Sequence, residues 1–126
     1  MPTSAKKKIM VVDDSEICRE VARVALESRG YTVILHDSPF GINQLMVQHR
    51  PDLLLLDITM PGLTGDKAAE MAQKTRMHEC PIVFLSDRPR EELAELVRRA
   101  NVAGFISKTF DLGALAESVE RYLRKE

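Results

Sequence analysis

Pro51-Asp52-Leu53-Leu54-Leu55-Leu56-Asp57 is four consecutive leucines bracketed by acids, followed by the loop Ile58-Thr59-Met60-Pro61-Gly62. Its apolar part is too short for a helix and reads as a buried strand that carries a carboxylate to its carboxyl end. A second segment repeats the arrangement: the short apolar run Ile9-Met10-Val11-Val12 leads directly into Asp13-Asp14. Strand-end carboxylates that converge can hold a divalent cation.

Working outward, runs of strand length recur at Lys8 to Val12, Tyr31 to Leu35, Leu53 to Leu56, Ile82 to Leu85 and Gly104 to Ser107. The segments between them have helical periodicity. Ser15 to Arg29 sets Ile17, Val21 and Val24 on one face and Glu16, Glu20, Arg23 and Glu27 on another, with Gly30 as the stop. A second helix is expected from Ser38 as N-cap, with Pro39 in its first turn and Ile42, Leu45, Met46 and His49 along one face, ending before Pro51. The third, Asp66 to Thr75, offers the small residues Ala68, Ala69 and Ala72 for close packing. The fourth runs from about Pro89 to Ala100, and the fifth starts near Asp111 and repeats Leu112, Leu115, Ala116, Val119 and Leu123.

Strict alternation of strand and helix predicts an α/β fold, (βα) repeated five times. Right-handed crossovers make the sheet parallel and cover both of its faces, giving a doubly wound three-layer sandwich. In such folds the ligand site lies outside the carboxyl ends of the strands, near the switch in strand order.

The chain has 126 residues, 44% of them hydrophobic and 29% charged, the size and balance of one soluble globular domain over 1–126. No apolar run is long enough to cross a bilayer, so no membrane partner is expected. A formal net charge of -1 gives no global attraction to nucleic acid, and no basic stripe suggests direct DNA binding. Lys6-Lys7-Lys8 has no secretory segment after it, so residues 1–6 read as a flexible tail before a core of about 7–124, with no effector domain. Cys18 and Cys80 fall at opposite rims of this fold and read as free thiols in a reducing cytoplasm. His36, His49 and His78 stand alone and lack metal-ligand spacing.

The residues that follow each strand give Asp13 and Asp14 after the first, Asp57 after the third, Ser86 and Asp87 after the fourth, and Lys108 after the fifth. Three carboxylates about 5 Å apart repel by roughly 3 kcal/mol per pair at an effective dielectric near 20, so the set calls for a cation. Mg²⁺ suits a hard, all-oxygen, partly hydrated site. Lys108 adds a positive charge and Ser86 a hydroxyl, which together describe a pocket for a dianionic group. A carboxylate can attack phosphorus when its surroundings neutralise the equatorial oxygens, and Asp57 is the candidate nucleophile.

The chain resembles the receiver domain of two-component response regulators, in the single-domain form typified by chemotaxis proteins. The matching residues are Asp13-Asp14, Asp57, Met60-Pro61-Gly62 with Gly65, Ser86, Phe105 two residues before Ser107, and Lys108, and the likeness spans about Lys7 to Leu123. It implies a flavodoxin-like sheet of order 2-1-3-4-5. It further implies that Asp57 accepts a phosphoryl group from a phosphohistidine on a sensor histidine kinase or a histidine phosphotransfer protein. Asp14 and Asp57 would bind Mg²⁺ through side chains, Asp13 mainly through water, and Thr59 through its backbone carbonyl. Ser86 and Phe105 would form the switch that alters the face made by the fourth helix, fifth strand and fifth helix, where a downstream protein or a second copy would bind. On this reading the protein is a phosphoacceptor that assists its own phosphorylation and dephosphorylation, not an enzyme.

Two positions depart from the family pattern, and with Arg88 they border the access to the site. Lys108 is normally followed by a cis-proline, whereas Thr109 follows here, and a cis bond before a non-proline residue costs about 3 kcal/mol. A trans bond is therefore expected, with a rearranged loop that shortens the reach of Lys108. Asp87 replaces a usually small residue and either faces the pocket as a fourth carboxylate or caps the next helix through Arg88-Pro89. Both features favour an alternative function, a pseudo-receiver that signals by protein contact without phosphorylation. A Mg²⁺-dependent phosphatase or a flavin or nucleotide binder fits less well, because Asp13 is followed two residues later by Ser15 and Gly62-Leu63-Thr64-Gly65 lacks the lysine and spacing of a phosphate-binding loop.

Overall fold

The computed structural model describes residues 6–64, 67–68, 70–71 and 80–124. The elements run β1 (Lys8–Val12), α1 (Glu16–Glu27), β2 (Thr32–His36), α2 (Ile42–His49), β3 (Leu53–Asp57), β4 (Ile82–Ser86), α3 (Arg90–Ala100), β5 (Gly104–Ser107) and α4 (Leu112–Arg124). Most of the helix expected over Asp66 to Thr75, together with Gly65 and His78, lies outside the described residues. The strands form one parallel sheet of order β2-β1-β3-β4-β5, as the alternation of elements and the family likeness led one to expect.

All five residues of β3 are buried, and the period of two along a strand divides its leucines between two core layers. Leu54 and Leu56 join Met10, Val12 and Phe84 beneath Met46 of α2 and Leu93 and Leu96 of α3. Leu53 and Leu55 join Ile9, Val11, Val83 and Leu85 beneath Leu26 of α1 and Leu115 and Val119 of α4. A strand covered on both faces has no solvent side, which is why this one reads as unbroken leucine.

Two helices differ from expectation. The N-terminus of α2 lies at Gly41, in the left-handed region at φ 84°, and not at Ser38. Ser38 Oγ instead accepts the Phe40 N–H at 3.0 Å and closes a local turn, a use of serine that competes with capping. The helix ends at Arg50, also left-handed at φ 50°, whose N–H returns to the Met46 carbonyl at 2.9 Å before Pro51. In α1 the buried residues are Ala22, Ala25 and Leu26, while Ile17 is 67% and Val24 39% exposed. The two alanines let α1 lie close against the sheet, so the Ile17-Val21-Val24 stripe is turned to the flank of the contact. Arg23, on the outer side, pairs with Glu20 and Glu27.

At one border of the sheet, the hydroxyl of Tyr122 in α4 accepts the N–H of Phe105 at 3.1 Å and donates to the carbonyl of the same residue at 3.0 Å. This approach requires Gly104, because a Cβ there would collide with the Tyr122 hydroxyl.

Candidate functional site

β1, β3 and β4 end at the same rim, and the parallel register brings their terminal residues side by side: Val12 is level with Leu56, and Asp57 with Leu85. The acids that follow are therefore forced together. Asp13 and Asp57 are fully buried and Asp14 is exposed, and one carboxylate oxygen from each of the three lies within 4.8 Å of the other two. Among the described residues this is the one group of acids, histidines and cysteines close enough to hold a metal ion.

Each buried acid is fixed by its own chain. Asp13 Oδ1 accepts the Ser15 N–H at 2.9 Å, and Ser15 in turn caps α1 by accepting the Cys18 N–H at 3.2 Å. Asp57 Oδ1 accepts two bonds from Thr59, from its N–H at 2.9 Å and its hydroxyl at 2.6 Å. The other oxygens converge on one ammonium: Lys108 Nζ stands 3.2 Å from Asp13 Oδ2 and 3.3 Å from Asp57 Oδ2. Backbone pairing aims this lysine, since its N–H donates to the Ser86 carbonyl at 2.9 Å and extends the β4–β5 pairing by one step.

The described residues contain no cis peptide bond, so Lys108–Thr109 is trans, as expected. The expectation that Lys108 would then reach the acids less well is overturned. The residue leaves β5 already paired to β4, and its four-carbon stem spans the remaining gap without any contribution from the 108–109 bond.

Burial raises the pKa of Asp13, and the neighbouring Asp57 charge raises it further, against the opposing pull of the Ser15 N–H and Lys108. For Lys108 burial acts downward, but the carboxylates of Asp57 and Asp13 outweigh it and the ammonium is held above its ordinary value. Asp13 Oδ2 is buried and accepts no hydrogen bond, with the Lys108 ammonium 3.2 Å away as the neighbouring positive charge. An unsatisfied anionic oxygen next to two further carboxylates could hold a hard cation, and an all-oxygen donor set has the chemistry that Mg²⁺ takes.

Ser86 is fully buried, and its Oγ accepts the Arg88 N–H at 3.0 Å. Arg88 also reaches back across the rim, with Nη2 3.4 Å from the Ile58 carbonyl. Asp87 is exposed and does not cap α3, whose first residue follows Pro89 without any side-chain bond to the helix end. Instead it lines a cleft of about 410 Å³ together with Cys18, Lys108, Thr109 and Phe110. Phe105 is half-buried, with the Arg90 guanidinium 5.2 Å from the centre of its ring.

Three participants escaped the sequence reading. The Thr59 side chain could have been found from the Asp-x-Thr spacing, which favours a local turn closed on the carboxylate. The Ser15 N–H follows from recognising Ser15 as a cap. Cys18, with its Sγ 3.9 Å from Lys108 Nζ, gave no signal, because the contact joins residues 90 positions apart.

Comparison with known proteins agrees with this geometry. Residues 9–120 match the response regulator receiver domain family. The polar-differentiation response regulator DivK of Brucella anthropi is 25% identical over 118 residues, covering 93% of this chain and 96% of its own. The chemotaxis protein CheY4 of Vibrio cholerae is 24% identical with a TM-score of 0.81, over 94% of this chain and 99% of that one. The signal receiver domain of a modulated diguanylate cyclase from Desulfovibrio desulfuricans is 26% identical with a TM-score of 0.75, over 96% of both chains. No described helix is long and apolar enough to cross a membrane.

Proposed function

The chain belongs to the response regulator receiver family of two-component signalling, and on that premise we propose that Asp57 accepts a phosphoryl group in a Mg²⁺-dependent transfer. The donor is a phosphohistidine on a sensor histidine kinase or a histidine phosphotransfer protein. The observation that carries the reading is the shared ammonium: Lys108 lies 3.3 Å from Asp57 Oδ2 and 3.2 Å from Asp13 Oδ2 within a buried acidic cluster.

In the transfer, Asp57 Oδ2 forms a P–O bond as the P–N bond to the donor imidazole breaks, leaving an acyl phosphate on the protein and the electron pair on the imidazole nitrogen. Asp14 and Asp57 through their side chains, Thr59 through its carbonyl and Asp13 through water are the residues to hold Mg²⁺. When bound, the ion supplies charge neutralisation at the phosphoryl oxygens. Lys108, already beside Oδ2, neutralises a further oxygen, and the backbone N–H groups of Ser15 and Thr59 keep the two buried acids in place. The protein is a reactant that assists its own phosphorylation and dephosphorylation, not an enzyme with turnover.

The phosphate then biases Ser86 and Phe105, and through them the face made by α3, β5 and α4, toward a state that binds a downstream protein or a second copy of the chain. The cytoplasm is the compartment where such a donor and partner meet.

Incubation with acetyl phosphate and Mg²⁺, read by intact mass, tests the reading. One phosphoryl adduct is expected on the wild type and none on Asp57→Asn or in the presence of a chelator. A wild type that takes no phosphoryl group even from a cognate kinase would reject it in favour of the pseudo-receiver, a module that signals by contact alone.

A further inference from the structure

From the bonding at the acceptor carboxylate we infer that Thr59 is a positioning residue whose hydroxyl holds Asp57 Oδ1 in the free protein and must let go before a divalent cation can take that oxygen. The inference rests on the Mg²⁺ reading of this site and deepens it.

A carboxylate oxygen offers two lone-pair directions. At Asp57 Oδ1 both are used by one residue, the Thr59 N–H at 2.9 Å and the Thr59 hydroxyl at 2.6 Å. Asp57 Oδ2 faces Lys108, which also faces Asp13. A cation that takes Asp57 through Oδ1, leaving the open direction of Oδ2 to the phosphoryl group, therefore has to displace a Thr59 donor, and the donors around this carboxylate differ in how easily they yield. The N–H is fixed by the backbone of the loop after β3. The ammonium answers two buried carboxylates at once, so its departure would strand both. The hydroxyl is a single rotor on a half-buried side chain and can turn away by rotation about χ1 alone.

A charge-assisted O–H···O⁻ bond also withdraws electron density from the oxygen it binds, which lowers the attraction of that oxygen for a cation until the bond breaks. The same contact spreads negative charge in the empty cluster, where Asp13 and Asp57 are buried together. Thr59 thus stabilises the metal-free protein and weakens its hold on the ion.

Titration of MgCl₂ into the chelator-treated protein by calorimetry decides the matter, using wild type, Thr59→Val, Thr59→Ser and Asp57→Asn. Valine keeps the shape without the donor and is expected to bind Mg²⁺ about tenfold more tightly, the scale of one net hydrogen bond. Serine keeps the donor and is expected to match the wild type, and metal-free Thr59→Val is expected to unfold at lower denaturant than Thr59→Ser. Should Thr59→Val fold poorly, Thr59→Ala carries the same expectation. A wild type that binds Mg²⁺ through Asp57 while the valine and alanine variants bind equally or more weakly overturns the inference and leaves the site reading intact. A wild type that binds no better than Asp57→Asn overturns the site reading, and the inference with it.

Discussion

Asp13 combines full burial, an adjacent carboxylate and an oxygen without a hydrogen-bond donor. Its raised pKa means that the folded protein holds the Asp13 proton more tightly than the unfolded chain does. The favourable contribution of that proton is fully present below the ordinary value of 3.8 and is lost as pH rises through the folded value. At neutral pH the ionised group consequently costs stability. Asp13→Asn is expected to raise the metal-free unfolding free energy at pH 7, because asparagine takes the same buried place without a charge. The difference should shrink as pH falls toward 3.8 and vanish below it, where Asp13 is protonated in the folded and the unfolded chain alike. Saturating Mg²⁺ is expected to reverse the order, because an ion bound only by the folded wild type adds about 2.7 kcal/mol at a hundred times its dissociation constant. Urea melts in chelator and in Mg²⁺, at several pH values, check both signs.

At the scale of elements, α1 separates what a helical pattern says from what packing does with it. Leu26 is fully buried, and Leu26→Ala is expected to cost about 2–5 kcal/mol. Ile17, 67% exposed, lies on the stripe that periodicity marks as apolar, yet Ile17→Asp is expected to change stability by less than about 0.5 kcal/mol. Denaturant melts of the pair give the contrast directly. The strands were legible because each is an apolar run ended by a polar residue, and a parallel sheet places all those ends on one rim. That placement groups Asp13, Asp14, Asp57 and Lys108, which do lie together, and sets Ser86 at the end of the neighbouring strand. What sequence could not supply was rotation and reach. Which face of α1 meets the sheet depends on how closely Ala22 and Ala25 allow it to approach. The start of α2 was hidden because Ser38 serves equally well to cap a helix or close a turn, and only the left-handed Gly41 decides between them. The reach of Lys108 is set by the strand before the lysine and not by the bond after it, so the missing proline says nothing about it.

For the molecule as a whole, burying both faces of the sheet leaves its two borders, β2 and β5, as the places where strand backbone meets the outside. Along β5 the exposed pairing groups of Phe105 are already taken by the Tyr122 hydroxyl, which acts there as a one-atom stand-in for a neighbouring strand. Tyr122→Phe keeps the ring and removes the stand-in, so one N–H and one carbonyl become available to any extended chain that drifts past. The variant is expected to lose about 1 kcal/mol and to self-associate at lower concentration than the wild type, as measured by denaturation and sedimentation velocity. Identical sedimentation of the two would count against this role. Gly104 then owes its place less to backbone freedom than to the room it leaves for that oxygen. A single hydroxyl, carried by α4, closes the stretch of backbone that this border of the sheet would otherwise offer to an indiscriminate neighbour.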